Sequence, residues 1–136
     1  MQTRGSLFLL AISCGLVCGS WHLGHAEDTP PKIDASRARE HVGKQVQVEF
    51  QVKGSKHSVK RKTYFLDSQP DFNDPANLGI QIPDEVAERL KSERQIENPA
   101  TFYLEKKIVV RGEVFLMENR VYIKLKEPSQ IELAKS

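Results

Sequence analysis

The run KKIVVRGEVFLMENRVYIKLKEP, residues 106–128, constrains the fold more than any other stretch. Ile108, Val110, Val114 and Leu116 alternate along a first arm, and Val121, Ile123 and Leu125 alternate along a second. Period two over two arms separated by a short polar break predicts a β-hairpin with one buried and one wetter face. Glu118-Asn119 reads as its turn, because Asn tolerates the positive φ that a tight hairpin demands. Gly112 interrupts the first arm and marks a bend or a close backbone approach. Pro128 ends the pairing because it has no N–H to donate.

The rest of the chain supplies partners for this ribbon. Val46, Val48, Phe50 and Val52 alternate with Gln45, Gln47, Glu49 and Gln51, predicting a first strand over 45–53. Residues 54–61 read as a polar loop. Residues 63–66 predict a second, shorter strand, 67–77 a turn-rich loop with Pro70 and Pro75, and 78–82 a third strand ending at Pro83. The spacing predicts a helix over 84–94, with Asp84, Glu85 and Glu88 near its positive end and Arg89, Lys91 and Arg94 near its negative end. A short helix over 33–42 has Asp34 or Ser36 as cap and Gly43 as a left-handed stop. Three strands, a helix and two strands, with one glycine-bent long strand, fit a small closed sheet. The expected fold is mainly β: a five-stranded OB-fold barrel over 34–134, with a helix between strands 3 and 4 and a short N-terminal helix. In that barrel the aliphatic face of the ribbon lines the interior, and closure removes exposed strand edge.

Residues 1–26 stand apart. Arg4 is their only charge, an apolar stretch runs from Leu7 to about Val17, and small and polar residues follow to Ala26. The pattern predicts a secretory signal peptide cleaved after Ala26, hence an exported protein, periplasmic or secreted, with no membrane span after cleavage. Retention of the segment as an anchor is the alternative. Residues 27–33, with Thr29-Pro30-Pro31, read as a disordered leader. Both cysteines, Cys14 and Cys18, fall in the signal segment, so the mature chain has no disulfide and no thiolate metal site.

Several stretches resemble a known family. His41-Val42-Gly43-Lys44, Phe65-Leu66 followed by Asp71-Phe72, Lys107-Ile108-Val109-Val110-Arg111-Gly112 and Glu127-Pro128-Ser129-Gln130-Ile131 are similar to a bacterial OB-fold module. That module occurs as small exported proteins and beside secreted nucleases. The resemblance covers roughly residues 35–133 and implies the fold, with nucleic-acid binding by analogy. The family commonly has Gly where this chain has Asn119 and Pro where it has Val121, so the hairpin tip departs from the family pattern.

Charge is unevenly spread. Residues 27–62 carry nine basic and five acidic side chains, 63–105 three and nine, and 106–136 seven and four. The candidate ligand-binding residues lie in the two basic thirds. Lys56, His57, Lys60, Arg61 and Lys62 crowd the 54–61 loop and its end, and Arg120 and Lys124 flank the second hairpin turn. In an OB-fold those two loops frame the ligand groove. The cations would meet backbone phosphates, Tyr122 would stack on a base, and the acidic third would lie elsewhere. Tyr64 or Phe65 and Phe115 are further stacking candidates, and a merely solvated lysine-rich loop is the bland alternative. Asp67, Asp71 and Asp74 read as turn and cap residues without the spacing of a calcium loop. No cofactor, metal or catalytic constellation is expected. The sequence thus points to an exported, non-enzymatic binding module for single-stranded nucleic acid or another anionic polymer. The alternative is a protein-interaction or scaffold domain with a partner in the cell envelope.

Overall fold

The computed structural model describes residues 29–135, and the segment read as a signal peptide lies outside them. Alternation becomes ladder: the described chain is mainly β, with strands β1 Lys32–Ile33, β2 Gln45–Gln51, β3 Gly54–Ser58, β4 Thr63–Asp67, β5 Leu78–Pro83, β6 Lys107–Met117, β7 Arg120–Lys124 and β8 Ile131–Leu133. They form one mixed sheet in the order β1-β2-β6-β7-β5-β4-β3, with β8 added beside β6. The β1–β2 and β5–β7 pairs are parallel, the others antiparallel. No ladder joins β1 to β3, so the path is open and eight-stranded where a closed ring of five was expected. Between β2 and β3 the bonding changes side. Val52 pairs with the chain entering β6 (N–H to Lys106 O 2.9 Å, O from Glu105 N 2.8 Å), whereas the Lys53 N–H donates to Asp67 O at 2.9 Å at the end of β4.

Residues 54–61 are not a loop. Their first five form β3, paired with β4 so that Lys56 faces Phe65 and His57 faces Tyr64. Hydrophobic alternation is absent there because β3 is a sheet edge. The backbone groups of β4 still need partners, while lysines on an edge discourage further pairing. Lys32–Ile33, within the expected leader, pairs with Gln47 and Val48. The hairpin ladder ends at Val114–Ile123 and β7 at Lys124, before the expected stop at Pro128, which instead opens a 3₁₀ turn, Pro128–Gln130, in which Gln130 Oε1 accepts from the Glu127 N–H at 2.9 Å. The chain then returns as β8 along Ile108, Val109 and Val110.

The long helix α1, Asp84–Arg94, has the span the sequence predicts and ends at Gln95 in the left-handed region (φ 59°). A second, α2, Pro99–Tyr103, is capped by the Asn98 side chain. The N-terminal helix is a 3₁₀ segment, Ala35–His41, whose cap Asp34 accepts from Ser36 N–H at 3.0 Å.

Val46, Val48, Leu66, Ile80, Ile82, Ile108, Val110, Val114, Ile123 and Leu125 form one buried core, and α1 covers it with Val86 and Leu90. Truncating a fully buried Leu such as Leu90 to Ala costs about 2–5 kcal/mol. Leu116 breaks the expected pattern: it is 50% exposed, although its cross-strand partner Val121 is buried. The turn itself is as read, with Glu118 at φ 51° and Asn119 at φ 63°. Gly112 is a close approach, since a Cβ there would lie 2.6 Å from Ile123 Cγ2.

Candidate functional site

On β4, Tyr64 packs toward the core with Leu66, so Phe65 and Asp67 take the opposite, outer face. The register places Lys56 of β3 opposite Phe65, and Gly79 of β5 between Asp67 and Tyr122 of β7. A Cβ on Gly79 would sit 2.7 Å from the Tyr122 ring, so glycine here makes room for that ring. Tyr122 meets Phe65 edge-on (centroids 6.1 Å) and Phe115 at a tilt (5.8 Å). Only 6% of Tyr122 and 5% of Phe65 is exposed, so neither is the open stacking platform expected of Tyr122.

The loop between β4 and β5 folds over these rings. The Asn77 side chain fastens its base: Oδ1 accepts from Gln69 N–H at 2.9 Å, and Nδ2 donates to Asp67 Oδ1 at 3.1 Å. Asp71 and Asp74 accept from the backbone of Asn73 and Ala76, the turn role read for them. Phe72 is held by two cations, with Lys56 Nζ 4.0 Å and Arg120 Cζ 4.7 Å from its ring centre. Arg120 also donates to Asn73 Oδ1. Each cation–ring contact is worth about 0.5–1 kcal/mol at an exposed site.

The result is a cleft of about 230 Å³ lined by Lys56, Ser58, Arg61, Phe65, Asp67, Phe72, Arg120 and Tyr122. Arg61 reaches across its mouth to Glu118 at 3.6 Å, linking the β3–β4 and β6–β7 turns. The two basic thirds of the sequence therefore do meet. One member of the acidic third, Asp67, lines the cleft too and is 7% exposed. Burial pushes its carboxyl above the ordinary value, against the Asn77 hydrogen bond and the charges of Lys56 and Arg120, which pull it down. Neither cation forms an ion pair with it.

Of the expected ligand-binding residues, the cleft takes Lys56, Arg61, Arg120 and Tyr122. His57 points the other way along β3, stacks on Tyr64 (4.0 Å) and meets Asp84 Oδ1 at 2.9 Å. Lys62 and Lys124 line an adjoining shallow recess with Pro83, Asp84 and Glu85, which Arg61 also borders. Lys60 stays exposed at the turn, beside Val59, which is 78% exposed. Sequence reasoning assigned no ligand role to Asp67 or Phe72. The available signal for Phe72 was an aromatic side chain stranded in a polar, proline-containing loop.

No protein-family model and no curated protein matches the sequence. Similar solved structures include asparaginyl-tRNA synthetase from Pyrococcus horikoshii, at 16% identity and TM-score 0.46, over 81% of this chain and 22% of that one. Another is the Stn1-Ten1 complex of S. pombe, at 10% identity and TM-score 0.45, over 68% of this chain and 59% of the other. This chain thus spans about a fifth of the synthetase's length.

Proposed function

We propose that β2 and β3 act as one strand bent at Val52-Lys53, rolling the sheet into the five-stranded OB-type barrel, and that the domain binds single-stranded nucleic acid or another anionic polymer along the cleft. The switch of bonding partners at Val52 and Lys53 supports the first part. The second rests on one observation: Lys56 and Arg61 meet Arg120, from a distant part of the chain, in one cleft beside Phe65, Phe72 and Tyr122. Cations paired with aromatic rings are what a single strand requires, charge for the backbone and π-faces for bases. The reading is of an exported module without catalysis. Export rests on residues 1–26 alone.

Fluorescence anisotropy with a labelled single-stranded oligonucleotide tests this. Binding should weaken steeply with salt, by a logarithmic slope of about −0.7 for each phosphate neutralised. No binding at low salt would reject it. Val59 and Leu116, exposed near the two turns, favour a protein-interaction reading instead. A defined protein partner captured by a domain that ignores oligonucleotides would favour that second reading.

A further inference from the structure

Asp67 is hard to account for as a structural residue. It sits in a cleft with three cations, yet Lys56 and Arg120 are turned onto Phe72, Arg120 also onto Asn73, and Arg61 onto Glu118. Fastening the loop uses Oδ1 through Asn77, and among the described residues Oδ2 accepts no hydrogen bond. A carboxyl this buried and this lightly partnered is a stability cost, and such costs gather where a ligand is bound.

Resting on the nucleic-acid reading above, we infer that the cleft receives a single unstacked guanine base, its N1–H and 2-amino group donating to Asp67 while the adjoining phosphate meets Lys56, Arg61 or Arg120. An ionised carboxylate only accepts hydrogen bonds, with about four lone-pair sites, so Oδ1 retains capacity beyond Asn77. Guanine alone among the common bases presents two adjacent N–H donors on its pairing edge. Adenine and cytosine set an amino group beside a ring nitrogen whose lone pair faces the carboxylate. Thymine and uracil set their one N–H between two carbonyls. The cleft, about 230 Å³, is smaller than the roughly 300 Å³ at which drug-sized sites begin, and so suits one base rather than a stacked run. Entry has a built-in trigger. A phosphate that draws Lys56 and Arg120 off the Phe72 ring replaces cation–π contacts with stronger charge-assisted hydrogen bonds, and releases the loop that covers Tyr122 and Phe65.

The test compares oligothymidylates of about ten nucleotides, a length within the span of one such domain. One strand is all thymidine; the others carry a single central deoxyguanosine, deoxyadenosine, deoxycytidine or deoxyinosine. Guanine should tighten binding roughly tenfold over thymine, and inosine, which keeps N1–H but lacks the amino group, should lose most of that gain. In Asp67→Asn, checked for folding by thermal melting, the ratio of guanine to thymine affinity should fall to about one. The inosine arm needs no variant, so a poorly folding D67N leaves the test intact. Salt-sensitive binding of every strand with no guanine preference would overturn this inference and spare the polyanion reading. No binding of any strand at low salt would overturn both.

Discussion

One strand, β6, projects side chains into two different surroundings. Near its start, Lys107 lies 3.9 Å from Glu49, and Arg111 is tied down by Gln47 (3.1 Å) and Glu132 (2.8 Å). Near its end, Phe115 joins Tyr122 and Phe65 on the face where Lys56 and Arg120 rest on Phe72. Both surfaces are outer faces with cations on them. On the first, acids from neighbouring strands close the cations off. On the second, the nearby acid is buried and the cations are held by rings, which a phosphate can outcompete. Counting charges along the chain does not separate the two; knowing what stands opposite each cation does.

The sharpest way to break this difference is to remove the space that lets Tyr122 lie across β5. Gly79→Ala places a Cβ against that ring, and overpacking of this kind costs about 1–3 kcal/mol. Urea denaturation should show the loss, and oligonucleotide binding should weaken with it.

Charge removal comes next. Lys56→Gln with Arg120→Gln should shift the logarithmic salt slope of binding by about 1.4 for two lost phosphate contacts. The matched pair Lys107→Gln with Arg111→Gln, on the closed-off face, should leave the slope unchanged. Equal effects from the two pairs would erase the distinction between the faces.

Acid titration separates the faces by sign. Burial holds Asp67 above the ordinary carboxylate range, so the folded protein binds that proton more tightly than the unfolded chain does. Its contribution to stability is therefore fully present below the unfolded value and is lost as pH rises through the raised one. Lys56, Ser58, Arg61, Arg120, Tyr122 and Asn77 are the polar groups around it, and the charges of Lys56 and Arg120 already moderate the effect. Asp67→Asn should raise Tm near neutral pH, with the gap closing below 3.8, the ordinary value. Glu132 behaves oppositely. The hydrogen bond from Arg111, then its charge, holds that carboxyl low, so its contribution is present above the unfolded value and lost as pH falls through the lowered one. Arg111→Gln should flatten that acid limb.

The smallest change sharpens the comparison at the turn. Glu118 sits at φ 51° and draws Arg61 toward itself. Glu118→Gly should alter stability by no more than about 1 kcal/mol, relieving the backbone while losing the weak surface pair. It should tighten oligonucleotide binding slightly by freeing Arg61, readable in the same anisotropy assay.

The hydrophobic ribbons, the α1 span and the Glu118-Asn119 turn were all legible in the sequence. Each depends on local chemistry: period-two alternation, the charge sense of a helix, positive φ. β3 was not legible, because an edge strand of Gly, Ser, Lys and His has no buried face to betray it. Nor was the cleft. Lys56, Arg61 and Arg120 were legible as a pair of basic loops, but Asp67 and Phe72 read as ordinary loop residues, and His57 looked like a companion of Lys56 although adjacent strand positions face opposite ways. By itself the sequence determined which residues point inward where apolar and polar side chains alternate, as along Val46, Val48 and Phe50 or Val121 and Ile123, since parity along a strand is a nearest-neighbour property; it left β3 and the Tyr64-Phe65 pair open. Only the tertiary structure decided which outward cations are neutralised and which stay open to a ligand, because the partner opposite each one, such as Gln47 for Arg111 or Asn119 for Arg39, comes from 64 or 80 residues away.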